Sequence, residues 1–141
     1  MNHLNCVLME GNVCMEPKAV LTSQKTGAEL VSFRLASNRY YTSRDGQRVQ
    51  EALFIGVEAW GELGKRVTEF VQKGMAVRVV GRLRMSEWTD KEGVSRDRLQ
   101  IVAEHIEFRR PAKSRGGAEE DVTLNIEKDE SVGEKCIVYE Y

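Results

Sequence analysis

Apolar and polar residues alternate along much of the chain, and a period of two predicts half-buried β-strands. Strands are predicted at 4–10, 30–39, 52–60 and 98–108, with another beginning at Met75 and a short extended stretch at 19–23. Gly11 and Asn12 are predicted to end the first strand in a turn. The residues expected to face the core are Val31, Phe33, Leu35, Leu53, Ile55, Val57, Ala59, Met75, Val77, Val79 and Leu83.

A single segment has a different period. Leu63, Val67, Phe70 and Val71 lie at i, i+4, i+7 and i+8, which predicts an amphipathic helix over 62–73. Gly74 is predicted to stop this helix. One helix between the third and fourth long strands of an otherwise β chain favours a small closed barrel over a parallel α/β sheet, which needs a helix at each crossover.

Turns and one irregularity are also marked in the sequence. Asp45-Gly46 predicts a hairpin turn between the second and third long strands, and residues 90–93 predict another between the last two. Gly81 lies inside a strand, where glycine indicates a bulge or a close approach of two backbones.

The outward faces of the strands carry unusual residues. Phe54 and Trp60 share one outward face with Glu58, and the next strand continues its outward face to Trp88. Arginines accompany them at Arg34, Arg78, Arg82 and Arg84. Exposed aromatic residues call for a partner surface, which is either a ligand, another subunit or the hairpin at 40–50. Cationic groups that track phosphates, with rings that stack on unpaired bases, make single-stranded nucleic acid one such ligand.

Charge is distributed unevenly along the 141 residues, whose formal net charge is −1. Residues 1–110 contain 17 basic and 14 acidic residues, a net +3, while residues 111–141 contain 4 basic and 8 acidic residues, a net −4. A mildly basic domain at 1–110 is compatible with a phosphate ligand. The acidic, weakly apolar segment at 111–141 is predicted to be a flexible tail.

No catalytic or metal-binding motif is recognisable. His3 and His105 stand alone, without the ligand spacing of a zinc site, and no phosphate-binding glycine loop or nucleophile elbow occurs. Cys6 lies in an apolar run and is expected to be a core residue. No apolar window of about 18 residues and no signal-peptide pattern is found. We therefore expect a cytoplasmic protein that is not an enzyme and needs no cofactor.

Seven further stretches are distinctive in their order along the chain: Asn5–Val13, Glu16–Pro17, Phe33–Tyr41, Trp60–Leu63, Lys73–Gly74, Val79–Leu83 and Trp88–Gly93. Together they resemble stretches that occur in the same order in the bacterial single-stranded DNA-binding proteins. The resemblance spans residues 1–110 and implies an OB-fold, a five-stranded barrel with a helix between strands three and four. It also implies a homotetramer that wraps single-stranded DNA, with little sequence preference, during replication, recombination and repair.

The resemblance assigns the candidate site. The base-stacking residues it implies are Tyr41, Phe54, Trp60 and Trp88. The proposed phosphate contacts are Arg34, Arg39, Arg82 and Arg84, with Arg44, Arg48 and Lys73 as further candidates. Measurements on proteins of this same class show that each stacked base contributes about 1 to 3 kcal/mol to binding.

The end of the chain departs from the family. Its members usually finish in an acidic peptide with a terminal Pro-Phe that recruits replication and repair proteins, whereas this sequence finishes at Tyr139-Glu140-Tyr141. Tyr141 is a candidate replacement for the apolar anchor, and residues 137–139 are alternatively a short strand. Two other functions stay open from sequence alone: an OB-fold adaptor whose aromatic residues contact proteins, and a hydrolase or nuclease on the same barrel.

Overall fold

The computed structural model describes residues 1–108. The predicted boundary near residue 110 and the acidic segment at 111–141 lie outside the described residues. In chain order the elements are β1 (Val7–Thr22), β2 (Glu29–Thr42), β3 (Arg48–Trp60), α1 (Gly61–Phe70), β4 (Ala76–Thr89) and β5 (Ser95–Phe108). The strands form a closed barrel in the order β1-β2-β3-β5-β4. This architecture confirms the predicted OB-fold, with its helix between β3 and β4.

The first strand is longer than predicted and closes the barrel. β1 pairs with β4 from Val7 to Asn12 and with β2 from Asn12 to Thr22. The predicted turn at Gly11-Asn12 was therefore wrong, whereas the extended stretch predicted at 19–23 is confirmed over 19–22 as the last part of β1. Gly11 is needed for a different reason: a Cβ there would overlap the carbonyl oxygen of Ala36, so glycine lets β1 cross close to β2 at the corner.

The helix is shorter than its apolar period predicted. It ends at Phe70, because Val71 takes an extended conformation and is buried in the core. Gly74 is not its stop but a turn residue with φ +95°, and its amide donates to the carbonyl of Val13. Phe70 stacks on Phe108 at 5.7 Å between ring centroids, which fastens the helix to the end of β5.

The barrel interior contains most of the predicted inward residues. Within the described residues the buried core includes Val31, Phe33, Leu35, Ile55, Val57, Ala59, Val77 and Val79. Leu53 is half exposed, contrary to prediction, since β3 pairs with β5 only over Gly56–Glu58 and Leu53 lies beyond that ladder. Cys6 is also exposed because it precedes β1.

Two hairpins extend beyond the closed part of the barrel, as arms in which each strand pairs only with its hairpin partner. β2 and β3 stay paired out to Thr42 and Arg48, and β4 and β5 out to Thr89 and Ser95. Gly46 at φ +77° and Gly93 at φ +80° form the predicted turns at their tips. We call these hairpins the β2–β3 arm and the β4–β5 arm.

Gly81 combines both features predicted for it. The β4–β5 register shifts between Val80 and Gly81, which pair with His105 and Ala103, so β5 carries one extra residue there. A Cβ on Gly81 would overlap the carbonyl oxygen of Val102. The bulge in β5 and the missing side chain at Gly81 together let the two backbones approach closely at this point.

We predict that Gly81→Ala destabilises the barrel by about 1 to 3 kcal/mol, as overpacking against rigid backbone does. Urea unfolding followed by far-ultraviolet circular dichroism measures this loss. Gly56→Ala is the matched control, because a Cβ there meets only the flexible Gln100 side chain, at 3.2 Å. Equal stability of the two variants would contradict the close-approach explanation.

Candidate nucleic-acid interface

Strand register arranges outward residues in a row across the barrel. Arg34 pairs with Gly56, Gly56 with Gln100, and Gln100 with Arg84, so these residues lie side by side on β2, β3, β5 and β4. Met15 on β1 pairs with Arg34 and extends the row. Paired residues project from the same face of a sheet, so we call this set the central row.

Aromatic residues border the central row. Phe54 lies two residues before Gly56 on the same strand and is half-buried, while Trp60 is 37% exposed at the junction with α1. Trp88 is 42% exposed on the β4–β5 arm. Strand alternation places all three on the outward face, as the sequence predicted.

Tyr41 is separated from these three rings. It lies on the β2–β3 arm and is 42% exposed, but alternation along β2 puts it and Arg39 on the opposite face of the strand from Arg34. The predicted stacking residues therefore occupy two faces, with Tyr41 on one and Phe54, Trp60 and Trp88 on the other.

Three arginines lie over aromatic rings. The guanidinium carbon of Arg34 is 5.6 Å from the centroid of Phe54, and that of Arg39 is 5.0 Å from Tyr41. Arg98 lies 5.3 Å from the centroid of Trp88. These cation–π contacts restrict the guanidinium groups while leaving their charge in place. Each ring thus has a fixed positive charge next to it.

Sequence reasoning missed Arg98 and Gln100. Both lie on β5, where Arg96, Arg98 and Gln100 alternate with Asp97 and Leu99, and that alternation was the available signal. The strand was recognised, but its outward face was not assigned. Pairing with β4 brings Arg98 opposite Ser86, next to Trp88.

A carboxylate lies within this arginine-rich face. Glu58 is only 6% exposed, and its Oε2 accepts a hydrogen bond from Nη1 of Arg84 at 3.0 Å. The sequence placed Glu58 outward but gave no indication that Arg84 would cover it. A buried carboxylate of this kind fixes its partner guanidinium and offsets its charge.

The other predicted phosphate contacts differ in their surroundings. Arg39 forms an exposed pair with Glu51 at 3.6 Å, while Arg34 and Arg82 are exposed on the outward face. Arg44 and Arg48 lie at the tip of the β2–β3 arm. Lys73 lies in the α1–β4 connection, where its backbone amide donates to Glu16, and belongs to neither the central row nor an arm.

The turn of the β4–β5 arm is held by Asp90. Its carboxylate accepts hydrogen bonds from the amides of Val94 and Glu92 and pairs with Arg96 at 3.0 Å. The bond from Val94, followed by Arg96, lowers the pKa of Asp90. Because the folded pKa lies below the unfolded value, this stabilisation is present at neutral pH and is lost as pH falls through the folded pKa.

Among residues 1–108 no group of three or more His, Cys, Asp or Glu side chains is placed to hold a metal ion. Within that range, too, no helix has the length and apolar character needed to cross a membrane.

Comparison with known proteins agrees with the predicted family and barrel. The sequence profile described as the single-strand binding protein family matches residues 4–109. The chain is 28% identical over 143 residues to single-stranded DNA-binding protein 2 of Chlorobaculum tepidum, covering 100% of this chain and 96% of that protein. It is 33% identical over 135 residues to the single-stranded DNA-binding protein of Aquifex aeolicus, covering 94% and 90%.

A solved structure shares the fold. The Plasmodium falciparum SSB in complex with ssDNA superposes with a TM-score of 0.69 at 18% identity, covering 78% of this chain and 98% of that one. At that identity the likeness concerns the fold alone.

Proposed function

Because the chain belongs to the single-strand binding protein family, we propose that its outward face binds single-stranded DNA through the central row and the rings beside it. The family's general roles lie in DNA replication, recombination and repair. The observation that carries this assignment of residues is the register that places Arg34, Gly56, Gln100 and Arg84 side by side, with Phe54 and Trp88 on one side of the row and Trp60 on the other.

Stacking supplies the base contacts in this proposal. Phe54, Trp60 and Trp88 offer ring faces to unpaired bases, which a duplex keeps inside its own stack. Tyr41 contributes from the β2–β3 arm, on its other face. Since every base has a π-face, such contacts accept any sequence.

Phosphate contacts come from the arginines. Arg34 and Arg82 are exposed cations of the outward face, and Arg84, which is also exposed, joins them although Glu58 offsets part of its charge. Arg39, Arg44 and Arg48 extend the path along the β2–β3 arm, and Lys73 is its weakest candidate. We also assign Arg98 to this group because it lies against Trp88.

Self-association completes the proposal. We infer that the protein forms a homo-oligomer, and we expect the homotetramer that the family resemblance implies. Exposed apolar side chains on β1 support an interface between copies: Leu8 is 69% exposed, and Val20 and Leu21 are each 57% exposed. We also propose that the protein is cytoplasmic and, because its proposed ligand is DNA, associated with the nucleoid. That it is not an enzyme stays a prediction.

The acidic segment keeps its proposed role as well. Residues 111–141 lie outside the described residues, and their net charge of −4 supports a segment that DNA repels. We propose that it contacts replication and repair proteins.

Binding of oligo-dT is expected to quench the fluorescence of Trp60 and Trp88. The Trp88→Ala variant is expected to bind oligo-dT about fivefold to a hundredfold more weakly, because it loses the stacking of one base. Titration at fixed salt measures both effects. Met85→Ala is the matched control, since Met85 is 51% exposed on the same strand but on its opposite face. An unquenched wild-type protein would favour the adaptor function.

Glu58→Gln is expected to tighten oligo-dT binding at low salt, because it removes the charge that offsets Arg84 while keeping an acceptor for its hydrogen bond. The log–log dependence of affinity on salt should steepen by about 0.7, the value for one more neutralised phosphate on a single strand. Affinities across a salt series measure the slope. Glu62→Gln, which removes the same charge from the Lys65 pair on α1, should leave it unchanged. Equal slopes for wild type and Glu58→Gln would show that Arg84 contacts no phosphate.

A further inference from the structure

A groove lies on the outward face where β3 and β5 separate. Their parallel ladder begins at Gly56 and Gln100, and neither strand pairs with the other before those residues. The groove has a volume of about 230 Å³ and is lined in part by Met15, Arg34, Phe54, Gly56, Arg98 and Gln100. Pockets for drug-sized ligands begin near ~300 Å³, so this one suits a single ring system and not a whole nucleotide chain.

Gly56 and Gln100 give the groove its polar chemistry. Gly56 has no side chain, and the amide nitrogen Nε2 of Gln100 lies 3.2 Å from the position that a Cβ on Gly56 would take. Gln100 itself is half-buried, so its amide lies beside the bare backbone of β3. A primary amide offers both a donor and an acceptor, and the edges of nucleobases present both kinds of group.

Fixed positive charge flanks the groove on both sides. Arg34 lies against Phe54 on one side and Arg98 against Trp88 on the other, at 5.6 Å and 5.3 Å from the ring centroids. A ligand seated between them is therefore expected to carry negative charge close to its ring. A nucleotide within a single strand has this combination of a flat base and two adjacent phosphates.

We propose that this groove is a base-recognition site, in which one unstacked nucleobase lies over Gly56 and hydrogen-bonds to the Gln100 amide while its phosphates contact Arg34 and Arg98. The inference rests on the proposed function and adds a hydrogen-bonding contact to the stacking described above. The amide rotates to exchange donor and acceptor, so Gln100 accepts each of the four bases.

The test compares two strands of about 12 nucleotides, within the site size of one OB-fold: oligo-dT and a fully abasic strand with the same phosphates. Fluorescence anisotropy of labelled strands, with the full chain, gives the two affinities. Gln100→Met keeps the length of the side chain but removes its donor and acceptor. It should weaken oligo-dT binding about three- to tenfold, the value of one hydrogen bond, and change abasic-strand binding less than about twofold.

Two further variants complete the design. In Gly56→Ala the added Cβ crowds the Gln100 amide from the neighbouring strand. This variant should therefore also lose affinity for oligo-dT but not for the abasic strand, although the amide is still present. Gln72→Met makes the same chemical change at an exposed position just after α1, and should leave both affinities unchanged.

The outcomes separate this inference from the proposed function. An equal loss on both strands with Gln100→Met, or no loss on either, would overturn the base-recognition site while leaving single-strand binding intact. Loss of self-association without loss of DNA binding would overturn it too, and would assign the groove to a second copy of the chain. A wild-type protein that binds neither strand would overturn the proposed function and this site with it.

Discussion

Closure of the barrel by one long strand is the constraint on which the rest of the structure depends. β1 pairs first with β4 and then with β2, and it makes this change at Asn12, beside the backbone crossing at Gly11. Gly81 allows the corresponding close approach of β4 to β5. Since backbone contacts of this kind leave no room for a Cβ, the pairing of these strands in the observed register requires glycine at positions 11 and 81.

That register determines which side chains become neighbours on the outside. Residues far apart in sequence, such as Arg34 and Gln100, meet because Gly56 pairs with both. The arginines beside them are ordered by rings or, for Arg84, by a buried carboxylate. The face therefore presents cations whose positions are largely set before a ligand arrives, which lowers the entropy cost of binding.

Alternation along single strands, with one helical segment, was enough to predict a small closed barrel and the outward positions of Phe54, Trp60 and Trp88, and the family resemblance added the OB-fold. Alternation failed where an outcome depends on a second strand. The continuity of β1 through Gly11 requires its contact with β2, and the cover that Arg84 provides for Glu58 requires the pairing of β4 with β5. The predicted helix extended too far toward the C-terminus, because Val71 fits the helical period but is buried in an extended conformation. For Gln100 the alternation along β5 could indicate an outward position, but its place opposite Gly56 depends on the pairing of β3 with β5.

Single-stranded DNA is expected to lie on the outward face, across the central row and beside its rings. Photochemical cross-linking of oligo-dT to the full chain, followed by mass spectrometry of the peptides, maps that contact directly. We predict cross-links at Phe54 on β3 and Trp88 on the β4–β5 arm, with Trp60 also labelled. Cross-links confined to α1 or to the segment around Leu8 would contradict this placement of the strand.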